Sequence, residues 1–107
     1  MAGSTMKLPF LRAALGVIFS ALLHAQQPWS GATSATTQTL WGICYGNSQF
    51  VAVGEGGAIV TSPDGIDWTA RTSGTNPWLL AAVWSEPLNL FVVVGDAGTI
   101  LTSPDGI

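Results

Sequence analysis

Histidine, cysteine and basic side chains are nearly missing from these 107 residues: one histidine (His24), one cysteine (Cys44), and only Lys7, Arg12 and Arg71 as bases. A lone cysteine excludes an internal disulfide. Cys44 lies between Ile43 and Tyr45, where a small buried hydrophobe is expected rather than a reactive thiol. The apolar run at 13–23 is 11 residues long, short of the roughly 20 that cross a membrane. No amphipathic helical stretch is visible.

That apolar run follows Lys7 and Arg12 and leads to Leu23-His24-Ala25. A positive start, a short apolar centre and a small residue at the cut describe a secretory signal peptide, residues 1–25, with cleavage near Ala25. The bland alternative is a buried or anchoring N-terminal helix. No cysteine marks a lipid anchor at the cut. Cleavage removes Lys7, Arg12 and His24, leaving six carboxylates (Glu55, Asp64, Asp67, Glu86, Asp96, Asp105) against Arg71, five net negative charges. Such a surface offers nothing to nucleic acid or an anionic membrane. Without histidine, Ser–His catalysis and the common zinc sets are excluded. The glycines at 54–57 are followed by neither lysine nor helix, so a phosphate cradle is unsupported. The expected product is secreted or periplasmic, with no membrane association and no cofactor.

What the chain does have is a repeat. FVAVGEGGAIVTSPDGI at 50–66 and FVVVGDAGTILTSPDGI at 91–107 agree at 12 of 17 positions, 41 residues apart. Short Val, Ile, Phe, Trp and Thr runs alternate with Gly, Pro, Asn and Asp clusters, the pattern of an all-β chain. Strands are expected at 40–46, 49–54, 57–62 and 67–72, then at 79–85, 90–95 and 98–103. Asn47 and Ser48 turn the first hairpin, and Glu86-Pro87-Leu88-Asn89 makes its counterpart two residues longer. Upstream of that insertion the repeat offset is 39, which sets Trp68-Thr69-Ala70-Arg71-Thr72-Ser73 on Trp29-Ser30-Gly31-Ala32-Thr33-Ser34.

A period near 41 residues suits a four-stranded propeller blade. The expected fold is therefore a partial β-propeller of four-stranded antiparallel blades. It comprises an N-terminal segment 26–39 with an orphan outer strand at 28–34, a full blade at 40–74, and a three-stranded blade at 75–107. This is the logic of ring closure, in which an opening strand completes the last blade. Propellers use about 4–8 blades, so the chain is expected to be a fragment of a longer propeller, with self-assembly of copies as the alternative.

TSPDGIDW at 61–68 resembles the Asp-box, or bacterial neuraminidase repeat, with one residue fewer than usual between Asp and Trp. TSPDGI at 102–107 is similar and stops before the Trp. The likeness spans residues 28–107 and extends to sialidase-like and photosystem-II-assembly-factor-like propellers. It implies a structural role for Ser62, Asp64, Gly65, Trp68, Ser103, Asp105 and Gly106, at the blade periphery and away from any substrate pocket. Asp64 can bind turn amides, Gly65 can adopt the left-handed conformation, and Trp68 can pack over the hairpin.

Sialidases grip the substrate carboxylate with three arginines and use a Tyr–Glu pair. Residues 26–107 hold one arginine, Arg71, and one tyrosine, Tyr45. Catalysis by this chain alone is not expected. The expected role is a structural scaffold, or one binding protein or carbohydrate, partnered by the rest of a longer propeller or by other copies of itself. The alternative is the start of a sialidase-like glycoside hydrolase with its catalytic residues beyond Ile107. Glu55 and Asp96, in equivalent turns, and Trp78, at the start of a strand, are the ligand-face candidates; solvated turns and core packing are the bland readings. Trp41 and Trp84 are expected to fill space between blades.

Overall fold

The computed structural model describes residues 28–107; the expected signal peptide lies outside them. The chain divides into two units, Met1–Gly31 and Ala32–Ile107. Of the first, the described residues 28–31 carry no regular structure and Trp29 is fully exposed.

The second unit is all-β. Strands β1 (Leu40–Gly46), β2 (Gln49–Gly54), β3 (Ile59–Ser62) and β4 (Thr69–Arg71) form one antiparallel sheet in the order β1-β2-β3-β4. Strands β5 (Leu79–Ser85), β6 (Leu90–Gly95) and β7 (Ile100–Ser103) form a second, in the order β5-β6-β7, and neither sheet closes on itself. The hairpin between β1 and β2 turns on Asn47 and Ser48, both at positive φ, as a tight two-residue loop requires.

Four strands coincide with expectation, and three are shorter. β3 and β7 start two residues late because Glu55–Gly57 and Asp96–Gly98 form 3₁₀ turns. Those turns are closed by Gly54 N–H to Ala58 O at 2.9 Å and Gly95 N–H to Thr99 O at 3.0 Å. β4 covers 69–71 rather than 67–72 because the amide of Asp67 already donates to the Asp64 carboxylate. The outer strand expected at 28–34 does not form. A strand exists only through pairing with a neighbour, and this segment has none among the described residues.

Alternation divides each strand between two faces. On β2, Val51 and Val53 point one way, and Phe50 and Ala52 the other. Register carries the division across the sheet, with Cys44, Val51 and Thr61 in one row and Tyr45, Phe50 and Ser62 in the next. Val51 and Val53 pack on Leu79, Ala82, Phe91 and Val93 of the second sheet, with Cys44, Ile59, Trp84 and Leu101 around them. The two sheets meet most closely where β1 lies against β5. A Cβ on Gly42 would come within 2.8 Å of the Leu80 carbonyl, and one on Gly46 would run into the Trp84 indole. Trp84 in turn packs on Phe91, with ring centroids 4.5 Å apart, and its buried Nε1 has no hydrogen-bond partner among the described residues.

Candidate functional site

The repeated turns are built from their own side chains. Ser62 Oγ accepts from the amides of Gly65 (2.8 Å) and Asp64 (3.3 Å), and donates to Asp64 Oδ1 at 3.0 Å. The same Oδ1 accepts the amides of Ile66 and Asp67, both at 2.9 Å. Gly65 takes φ +78°, and its carbonyl accepts Trp68 Nε1–H at 3.1 Å. The second turn repeats the set. Ser103 Oγ accepts from Gly106 (2.9 Å) and Asp105 (3.4 Å) and donates to Asp105 Oδ1 at 3.0 Å, which also accepts Ile107 N–H at 3.0 Å.

These contacts determine the electrostatics. The amides of Asp67 and then Ile66 hold the Asp64 carboxyl below its ordinary value, against a smaller opposing effect of desolvation. The Ile107 amide and then the Ser103 hydroxyl do the same for Asp105. A carboxylate held ionised by hydrogen bonds to its charged form is a poor proton donor, so both acids suit turn closure rather than general-acid chemistry.

The ligand-face candidates separate. The Trp78 carbonyl accepts the Asp96 amide at 2.8 Å, which brings these two together. Glu55 occupies the matching turn of the first sheet, where Thr39 O accepts its amide at 2.9 Å. Trp78 stacks on Trp41, with centroids 6.0 Å apart and planes 22° from parallel. Both rings are about half exposed. Trp41 therefore does not fill space between the sheets, as its sequence position suggested. The register shifts between Leu40 and Gly42, and this bulge re-aims the ring outward. The alternation of the sequence carries no mark of the bulge, so Trp41 was legible only as a strand residue.

The remaining reactive groups are engaged or sheltered. Arg71 Nε donates to Thr61 Oγ1 at 2.9 Å. Cys44 is half-buried, and this burial raises its thiol above its ordinary pKa, which favours the protonated form. Among the described residues no group of three or more His, Cys, Asp or Glu could hold a metal ion, and no helix is long and apolar enough to cross a membrane. No family model matches the chain, and no curated protein or solved structure matches it.

Proposed function

We propose that this chain is a secreted β-propeller module of the Asp-box type that acts as a rigid binding scaffold and does no chemistry of its own. Two successive antiparallel meanders packed face to face, each with the same Ser-Pro-Asp-Gly turn after its third strand, support the architecture. The engagement of Asp64, Asp105 and Arg71 in local structure supports the non-catalytic reading.

The observation that carries the binding role is the stacked, half-exposed Trp41–Trp78 pair beside the Asp96 turn. Indoles combine a large apolar face with a hydrogen-bonding edge, the combination that suits amphipathic partners. A sugar ring has such a surface, with C–H groups on one face and hydroxyls around the rim. The carbohydrate reading is tested by titrating soluble oligosaccharides and following tryptophan fluorescence. A saturable change that disappears in the Trp41→Ala/Trp78→Ala double variant, with the unfolding midpoint preserved, is expected. Sugar binding that persists in the double variant, or no binding across a broad glycan panel, would overturn it.

A further inference from the structure

The carboxylates divide between the two ends of the strands. Glu55 and Asp96 sit in the turns that follow β2 and β6, at the end that carries Trp41 and Trp78. The other four lie at the opposite end: Asp64 and Asp67 follow β3, Glu86 follows β5 and Asp105 follows β7. Strands of this length hold the two groups about 20 Å apart.

Both near turns are tied to the segments that carry the indoles. Asp96 N–H donates to Trp78 O at 2.8 Å, and Glu55 N–H donates to Thr39 O at 2.9 Å, two residues before Trp41. The Glu55–Gly57 turn also touches β5, the strand that begins just after Trp78. Each turn is closed on itself, by Ala58 N–H to Glu55 O at 3.0 Å and by Thr99 N–H to Asp96 O at 3.1 Å. The backbone of both acids is therefore fixed beside the stacked pair. Their carboxylates differ from those of Asp64 and Asp105, which are engaged by turn amides. Among the described residues no hydrogen bond or ion pair engages the Glu55 or Asp96 side chain; the Asp96 contacts are made by its backbone.

Positive charge is remote from this place. Arg71 is the one base among the described residues. It ends β4, three strands from β1 in the sheet order, about 14 Å at the usual strand spacing. That is more than a Debye length at physiological salt. Its Nε is bonded to Thr61 Oγ1 at 2.9 Å, and it lines a cleft beside β7 with Leu101 and Ser103.

We propose that the Trp41–Trp78 surface selects amine-bearing sugars of the oligoglucosamine class over neutral ones, and rejects sugars bearing carboxylates. This inference rests on the carbohydrate reading above and adds to it the sign of charge that the ligand carries. A pyranose ring lays its C–H groups on the indole faces. A protonated amine on that ring is attracted both by the indole π-system and by the two turn carboxylates. The hydroxyls of a neutral sugar can donate to the same carboxylates, so neutral sugars bind more weakly. An acidic sugar meets two like charges and no nearby base. Sialic acid falls in that class, in contrast to the three-arginine grip of sialidases. An exposed charge pair changes affinity about two- to fivefold. Two carboxylates therefore favour the amine over its acetylated counterpart by about tenfold at low salt, and disfavour the acid by a similar factor.

Three tetrasaccharides test the proposal: one of glucosamine, its fully N-acetylated form, and one of glucuronic acid. Each is titrated into the full chain at about pH 5.5, where carboxylates are ionised and the amines are protonated, with tryptophan fluorescence as the readout. The glucosamine oligomer is expected to bind tightest, the acetylated one about tenfold weaker and the acid weakest. Salt at about 1 M shortens the Debye length to about 3 Å and should bring the three within about threefold. The Glu55→Gln/Asp96→Asn double variant should narrow the gap between amine and acetylated sugar to within about twofold. Trp41→Ala/Trp78→Ala keeps all six carboxylates and should lose the glucosamine signal as well. Persistent glucosamine binding in that variant would expose mere attraction to an acidic surface and overturn the proposal. Equal affinities for the three sugars, or tightest binding of the acid, would overturn the charge preference and leave the carbohydrate reading standing. A preference unchanged in Glu55→Gln/Asp96→Asn would overturn its assignment to these two turns, and absence of binding to all three would overturn both readings.

Discussion

Ser62 is buried and Ser103 is half-exposed, yet both hydroxyls accept the amide of the glycine three residues on, at 2.8 and 2.9 Å. Around these matching turns the sheets differ. Val51 and Val53 are buried, whereas Val94 is exposed and Val92 is partly covered; Phe91 is buried, whereas Phe50 is only half covered. The turn is specified by six residues and forms wherever they occur. Burial of the strands depends on what lies beyond each sheet, so near-identical strands acquire different environments. Local chemistry repeats with the sequence, while packing follows position in the stack.

The comparison can be broken most forcefully at the buried aromatic. Phe91→Ala empties the space between the sheets and is expected to cost about 3–5 kcal/mol in urea unfolding, whereas Phe50→Ala costs clearly less. Equal losses would mean that the two repeats are packed alike. Next is the seam: Gly46→Ala drives a methyl group into the Trp84 indole and is expected to cost about 1–3 kcal/mol. Ser85→Ala, the matching position on the outer face, should remain within about 0.5 kcal/mol of the parent.

The turns sharpen the comparison from the other side. Asp64→Ala lowers the thermal midpoint at neutral pH more than Asp105→Ala does, because Asp64 also holds the Asp67 amide that leads into β4. Both carboxyls have depressed folded-state pKa values. Their stabilisation is therefore full above the unfolded carboxylate range, about 4, and is lost as pH falls through the folded value. The midpoint difference between parent and Asp64→Ala should shrink over that acidic window; a constant difference would assign the effect to shape rather than charge. A small gain is expected at Ala97, which holds φ +57° where the first repeat has Gly56. Ala97→Gly is expected to gain about 0.5–1 kcal/mol by relieving a left-handed non-glycine residue.

Much of this architecture was legible in the chain. Alternating Val and Phe residues bounded by Gly and Asn turns located β1, β2, β5 and β6 to the residue, because strand and turn signals are local. The Ser-Pro-Asp-Gly motif foretold the bonding at Asp64 and Asp105 for the same reason. Three features were not readable. The glycines mark turns at 54–57 and 95–98, but not that their 3₁₀ form runs through Gly57 and Gly98 and so shortens β3 and β7. The outward swing of Trp41 goes with the register shift between Leu40 and Gly42, which the alternation of the sequence does not mark. The segment at 28–34 has strand-like residues, but pairing requires a neighbour that composition cannot supply.

The most direct test of the two-sheet arrangement is a proton–proton contact map by NMR of the folded chain. Nuclear Overhauser effects from the Gly46 Hα protons to the Trp84 indole, and from Gly42 Hα to Ala81 Hα, are predicted. Absence of both, with the Trp84 ring open to water, would contradict the back-to-front packing of the two repeats.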